Sequence, residues 1–175
     1  MRKSFFEVAL ISGLLTAFAC FLFLLLLYVL GLNPFGQYKF LYLPIYAGGV
    51  VGGLKFFMDY RNGGYLNGGR SVLMTMIINL SGAAVYAILI YVLLAFIDTA
   101  VLDLHKKELT ELLLRYKSDA GELLDIKLFE AQFASIKTIT AGDVAIDEWI
   151  KTSAIGLVLS MATAVIMKKT PPPTQ

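Results

Sequence analysis

Hydrophobic residues fall into four long stretches that shorter polar segments separate. No charged residue occurs in 8–38, in 40–54, in 71–97 or in 152–167. A helix that crosses a bilayer needs about 20 predominantly apolar residues, and a lysine near its end can lengthen a short core by snorkelling. The sequence therefore predicts one integral membrane domain over 1–175, with transmembrane helices at about 8–32, 40–58, 72–97 and 150–167.

The segment 98–149 has a different pattern, in which apolar residues recur at helical spacing among charged ones. The apolar positions form two series: Val101, Leu109, Leu112, Leu113 and Tyr116, then Ile126, Phe129, Phe133 and Ile136. They predict two amphipathic helices outside the membrane that separate near 118–121. The first should continue directly from the third span, because 96–117 contains neither proline nor glycine. The predicted fold class is an all-α polytopic membrane protein.

Local signals mark the ends of several predicted helices. The segment 33–36 contains a proline and a glycine, which predicts that the first helix ends there. Thr140 followed by Asp143 resembles a capping box and predicts the start of the last helix. Aromatic residues concentrate at membrane interfaces, so we expect the three tyrosines after the first turn to lie there. These are Tyr38, Tyr42 and Tyr46.

Composition agrees with a bilayer as the main partner. Hydrophobic residues make up 58% and charged residues 16% of the 175 residues, whereas soluble domains have about 45–50% and about 25%. The net charge of +2 is too small to indicate nucleic-acid binding. Cys20 is the single cysteine, so no disulfide can form within the chain.

The distribution of lysine and arginine predicts the orientation. Cytoplasmic segments of membrane proteins carry an excess of both residues. With the amino terminus in the cytoplasm, the inner segments hold Arg2, Lys3, Lys55, Arg61, Arg70, Lys168 and Lys169. The short outer turn has only Lys39 at its edge. We therefore expect both termini in the cytoplasm and 98–149 on the opposite, periplasmic side.

Small residues at regular spacing predict close helix packing. Gly48, Gly49, Gly52 and Gly53 form two overlapping GxxxG patterns in the second span, and Gly156 and Ser160 recur four residues apart in the fourth. Asn79 in the third span needs a hydrogen-bond partner, because lipid offers none. We expect these residues to pack helices within the chain; for the second span, a dimer interface and a flexible gating helix are alternatives.

A polar turn at 55–70 separates the second and third spans. Its Asn-Gly-Gly backbone could form an anion-binding nest, and its arginines could hold a lipid phosphate or contact a partner. The residues in question are Arg61, Asn62, Gly63, Gly64 and Arg70. The alternative is a tight turn whose arginines serve only the orientation in the membrane.

The sequence offers little chemistry. None of the four apolar cores contains an ionisable side chain, which argues against a proton relay but not against a passive pore. His105 has no acidic residue at reliable ligand spacing, so we expect no metal site. No nucleophile, base and orienting group converge in the sequence. We therefore expect a protein that is not an enzyme and that carries no cofactor.

Two segments carry a family resemblance. Residues 57–66 read Phe-Met-Asp-Tyr-Arg-Asn-Gly-Gly-Tyr-Leu, with Gly-Arg at 69–70, and 156–169 read Gly-Leu-Val-Leu-Ser-Met-Ala-Thr-Ala-Val-Ile-Met-Lys-Lys. From about residue 8 to 169 the chain resembles the bacterial family called domain of unknown function 4199. The resemblance implies a four-span protein in the inner membrane of a Gram-negative bacterium. It implies no activity.

These observations lead to two hypotheses of function. The first is a non-enzymatic scaffold or accessory subunit, whose outer helices and small-residue ridges contact a membrane protein partner or copies of itself. The alternative is a small transporter or channel for an uncharged or lipid-like solute, with a path lined by Thr75, Asn79 and Ser81. A third possibility is that the polar turn senses phosphate headgroups.

Overall fold

The computed structural model describes residues 3–120 and 125–169, and within them the chain is helical with no strand. The six α-helices are α1 (Lys3–Val29), α2 (Leu43–Arg61), α3 (Gly68–Val92), α4 (Ala100–Ala120), α5 (Ile126–Thr138) and α6 (Ala141–Met167). Four helical stretches are long and apolar enough to cross a membrane: Phe5–Val29, Gln37–Arg61, Gly68–Ile97 and Ala141–Met167. The predicted fold class is confirmed.

The turn after α1 forms where the proline and glycine predict it. Gly31 adopts a left-handed backbone conformation with φ of 72°, and the Phe35 N–H donates to Asn33 Oδ1 at 2.9 Å. A 3₁₀ helix, Gln37–Tyr42, then leads into α2, whose first turn contains Pro44. Proline is tolerated there because the first N–H groups of a helix have no partner within the helix.

The prediction that α4 continues directly from the third span is wrong. A π-helical turn, Leu93–Ile97, ends the span, and Asp98 is extended with φ of −148°. Asp98 Oδ1 accepts the Ala100 N–H at 2.9 Å and Oδ2 accepts the hydroxyl of Tyr28. An aspartate side chain competes in this way with the helical backbone bonds. Both hydrogen bonds lower the pKa of the Asp98 carboxyl, and the one from the Tyr28 hydroxyl has the larger effect.

The capping box at the start of α6 is confirmed. The Thr140 hydroxyl accepts the Asp143 N–H at 3.2 Å, and Asp143 Oδ2 accepts the Thr140 N–H at 2.8 Å. From this cap α6 runs without interruption to Met167. Residues 141–149, which the sequence places in the extramembrane segment, are therefore the first turns of α6.

The central helix is α3, since α1, α2 and α6 all pack against it. Gly82 crosses Gly13 of α1 so closely that a Cβ on Gly82 would lie 3.1 Å from the Gly13 carbonyl oxygen. At the opposite end from α4 and α5, Leu66 and Lys169 exchange backbone hydrogen bonds of 2.9 and 3.0 Å. This bridge joins the turn after α2 to the end of α6.

The three tyrosines after the first turn differ in exposure. Tyr38 is exposed, but Tyr42 and Tyr46 are buried in the bundle. Their hydroxyls find partners inside the protein, Thr152 for Tyr42 and Asn79 for Tyr46. A buried tyrosine hydroxyl usually has such a partner.

Candidate functional site

A stripe of four residues on α6, spaced four positions apart, forms most of the polar contacts inside the bundle. We call Glu148, Thr152, Gly156 and Ser160 the α6 stripe. Three of the four have side chains, and each of these is buried with a polar partner on another element. Residues four apart lie on one face of a helix. The stripe therefore faces the 3₁₀ helix Gln37–Tyr42 at Glu148 and Thr152, and α3 at Gly156 and Ser160.

Asn79 of α3 packs against the middle of the stripe, at Gly156. Asn79 Nδ2 donates to the Ser153 carbonyl at 3.1 Å, and Asn79 Oδ1 accepts the Tyr46 hydroxyl. A Cβ at Gly156 would overlap Asn79 Oδ1. Glycine at 156 therefore makes room for the amide, and the amide ties together three membrane-spanning helices.

The lower part of the stripe is a reciprocal pair. Thr75 Oγ1 donates to the Ser160 carbonyl at 3.2 Å, and Ser160 Oγ donates to the Thr75 carbonyl at 3.1 Å. Ser81 lies elsewhere, since its hydroxyl donates to the Ile77 carbonyl at 2.7 Å and it sits over Gly13 of α1. The three residues predicted to line a path thus do not converge on one.

The upper end of the stripe holds a buried ion pair. Lys39 Nζ and Glu148 Oε1 are 2.7 Å apart, and their side chains are 13% and 4% exposed. Next to it, the Tyr42 and Thr152 hydroxyl oxygens are 3.1 Å apart. Sequence analysis missed this pair because Glu148 lies two positions outside the predicted fourth span. The four-residue spacing of Gly156 and Ser160, continued toward the start of α6, leads to Glu148 and would have indicated this ion pair.

His105 lies beside this ion pair and has close polar neighbours. Its Nδ1 is 3.5 Å from Asn33 Nδ2, which in turn donates to Glu108 Oε2 at 2.7 Å. Burial, and then the charge of Lys39, lower the pKa of His105 from its usual 6.5, while Glu108 opposes the shift. The imidazole is therefore neutral at pH 7 and can accept a hydrogen bond.

Two adjoining recesses open around these groups, with volumes of about 310 and 700 Å³. Phe35, Lys39, His105 and Leu109 line both of them. Within 3–120 and 125–169, no group of three or more His, Cys, Asp or Glu residues is placed to hold a metal ion. The arrangement offers one buried ion pair and one neutral imidazole at the edge of the bundle.

The polar turn after α2 forms many of its own hydrogen bonds. Gly63 and Gly64 have φ of 64° and 84°, and the Gly64 N–H donates to the Met58 carbonyl at 2.7 Å. Asn62 donates to the Tyr65 carbonyl. The Gly64 N–H and the Asn62 amide therefore both donate within the protein. Arg61 and Arg70 are exposed at its two ends.

The glycines of α2 divide into two faces. A Cβ at Gly49 would overlap Thr16 of α1, and one at Gly53 would lie 2.6 Å from Ser12 Cβ. A Cβ at Gly48 or Gly52 would meet nothing within 4 Å. Gly49 and Gly53 therefore allow α1 to approach, whereas Gly48 and Gly52 make no packing contact of that kind and depart from the expectation of packing within the chain.

A large groove lies outside the bundle, between α4 and α5. It measures about 1030 Å³ and is lined mainly by apolar side chains such as Leu112, Tyr116, Leu128 and Phe129. No residue described in α5 is buried. The two helices contact each other but leave their apolar sides open.

A comparison with known families now identifies the chain. A family model described as "Protein of unknown function (DUF4199)" matches residues 11–169. The chain belongs to this family. No curated protein and no solved structure matches it. The predicted resemblance is confirmed, and the match to the DUF4199 family spans α1 to α6, including α4 and α5.

Breaking the buried ion pair should destabilise the protein, more from one side than from the other. Lys39→Met leaves the Glu148 carboxylate buried without a partner, which costs about 3–5 kcal/mol. Glu148→Gln should cost less, since the long Lys39 side chain can reach water. Thermal unfolding in one detergent measures both, and the double variant should recover most of the loss.

The exposed pair Lys151–Asp147 supplies the matched control. Lys151→Met should change the unfolding free energy by less than about 0.5 kcal/mol. Equal unfolding temperatures for Lys39→Met, Lys151→Met and the unchanged protein would contradict a structural role of the buried pair.

His105 should titrate below pH 6.5, and two variants should move its pKa in opposite directions. Lys39→Met removes a positive charge that disfavours the imidazolium, so the pKa should rise. Glu108→Gln removes a negative charge that favours it, so the pKa should fall further. His105 is the single histidine, so its NMR titration has no overlap. Shifts of the same sign in both variants would refute this electrostatic description.

Proposed function

We propose that the protein is a non-enzymatic accessory subunit of the bacterial inner membrane, and that α4 and α5 bind an amphipathic helix of another membrane protein. The groove between α4 and α5, which residues 3–120 and 125–169 leave open, carries the proposal. Helix-in-groove recognition places the apolar face of one helix between two others.

Exposed apolar side chains support this function. Leu112 is 65% exposed, and Tyr116, Ile126 and Leu128 are also exposed. A contiguous apolar surface on a segment outside the membrane marks a site that binds another protein or a bilayer. The bundle itself has few unsatisfied groups to offer, because the α6 stripe has its partners inside.

The rim of the groove indicates what chemistry the partner has. Lys117 Nζ lies 4.7 Å from the centre of the Phe129 ring, and Arg115, Asp119 and Asp125 line the same groove. Charges of both signs surround an apolar floor. A helix with an apolar face flanked by acidic and basic residues is complementary to this surface, whereas a uniformly charged ligand is not.

The proposed orientation places this groove in the periplasm and both termini in the cytoplasm. Arg61 and Arg70 flank the turn at one end of the bundle, and Lys168 and Lys169 follow α6 at the same end. The excess of basic residues there supports a cytoplasmic location for that end.

Two hydroxyls favour the transporter or channel as the second candidate function. Among the described residues, the hydroxyls of Ser71 and Ser153 are buried without a hydrogen-bond partner. Unpaired polar groups inside a membrane bundle are typical of a solute or water path. The polar contacts of Asn79 and Thr75 lie along the same helices.

Crosslinking tests the accessory role. In a Cys20→Ser background, single cysteines at Leu112 and Leu128 lie in the groove, whereas one at Glu130 is exposed outside it. Both groove positions should capture the same membrane protein in native membranes, and Glu130→Cys should not. The crosslinked peptide should come from an amphipathic helix, and Leu112→Asp should abolish its capture by the cysteine at Leu128. Capture of lipid alone or of a second copy would contradict the accessory role.

Asn79→Leu separates the two candidate functions. If Asn79 lines a path, solute flux in liposomes should stop while the yield of folded protein is unchanged. If Asn79 ties α2, α3 and α6 together, the folded yield should fall, because Tyr46 loses its side-chain acceptor and the Ser153 carbonyl loses its donor. Ser81→Ala is the matched control, since Ser81 faces α1 and should affect neither quantity. The accessory role requires the second result.

A further inference from the structure

A second groove lies within the membrane-spanning bundle, between α1 and α2. It measures about 640 Å³, within the range of about 300–1,000 Å³ that is usual for small-molecule sites. Apolar side chains such as Ile11, Leu15, Ile45 and Phe56 form its walls. Because both helices cross the bilayer, this groove faces lipid.

Glycines keep the floor of the groove flat. Gly49, Gly52 and Gly53 line it, and a Cβ at Gly52 would meet nothing within 4 Å. From Gly49 to Arg61 the groove follows α2 for about 18 Å. The hydrocarbon of one leaflet is about 15 Å thick, half of a bilayer core. An acyl chain of one leaflet therefore matches the groove in length.

The end of the groove carries two opposite charges. Glu7 of α1 and Arg61 of α2 both line it, and the rings of Phe5 and Phe57 beside them are 5.2 Å apart. Both charged residues are exposed. Among residues 5–119 and 125–169, whose side chains the structure describes, neither one belongs to an ion pair. Both can contact a headgroup at this end of the groove.

A phospholipid headgroup carries both an anionic phosphate and a cationic amine. These two charges are complementary to Arg61 and Glu7.

We infer that this groove binds a phospholipid with an amine headgroup, that is, phosphatidylethanolamine. One acyl chain lies over Gly52, the phosphate accepts hydrogen bonds from the Arg61 guanidinium, and the ammonium group donates to the Glu7 carboxylate. Arginine binds phosphate oxygens through paired N–H donors, and the carboxylate accepts from a primary ammonium. Phosphatidylglycerol lacks the ammonium group, and the choline of phosphatidylcholine has no N–H donor.

Native mass spectrometry of the full chain tests this site with three phospholipids of identical acyl chains: phosphatidylethanolamine, phosphatidylglycerol and phosphatidylcholine. The unchanged protein should retain phosphatidylethanolamine most strongly. Gly52→Leu should abolish the retained lipid by filling the groove, and Gly48→Leu should not. Both glycines are exposed with room for a side chain, but only Gly52 lines the groove.

Variants at the two charged residues should change lipid binding in different ways. Arg61→Gln should weaken binding of all three lipids by about tenfold, the effect of losing one hydrogen bond to a charged group. Arg70→Gln, an exposed arginine outside the groove, should leave binding unchanged. Glu7→Gln should shift the preference from phosphatidylethanolamine to phosphatidylglycerol. This switch does not depend on a loss of binding, so misfolding cannot imitate it.

The outcomes that overturn the inference are distinct. Equal lipid retention by Gly52→Leu and the unchanged protein would exclude the groove as the site. An unchanged preference in Glu7→Gln would exclude recognition of the amine. A change in oligomeric state in Gly52→Leu, without a change in bound lipid, would show that copies of the chain meet at this face.

Discussion

The bundle depends on one constraint: a polar side chain buried in a membrane has no water to bind, so it needs a partner within the protein. Asn79 meets this constraint at the centre, where its amide binds α2 through Tyr46 and α6 through the Ser153 carbonyl. The arrangement exists only because Gly156 has no side chain to occupy the same space. The relative positions of three helices are thereby fixed together.

The same register continues in both directions along α6. One turn after Gly156, Ser160 meets Thr75, and two turns before it, Glu148 meets Lys39. If α6 slid by one residue, every member of the stripe would face a different neighbour, and a buried carboxylate would lose its ammonium partner at a large cost. Polar contacts thus fix one register of α6 in the bundle. Apolar contacts between helices specify the register only weakly, because lipid tails are as apolar as the helices.

The amount that the sequence predicts differs between levels of structure for physical reasons. Hydropathy predicts the four spans because long apolar segments are stable in lipid and not in water. The Thr140 cap is predictable because its hydrogen bonds join residues that are close in sequence. Burial of Tyr42 and Tyr46 depends on partners far along the chain, which composition does not reveal. The break at Asp98 comes from a side chain that competes with the backbone, where no proline or glycine marks it.

The groove between α1 and α2 and the groove between α4 and α5 differ in their surroundings. Apolar walls between α1 and α2 face lipid tails, so their exposure costs nothing in hydrophobic free energy. Side chains such as Leu112 and Ile126 lie on helices outside the bundle, where each square ångström of apolar surface in water costs roughly 25 cal/mol. The described residues thus divide into a bundle whose α6 stripe has its polar partners inside and a pair of amphipathic helices whose apolar sides stay exposed.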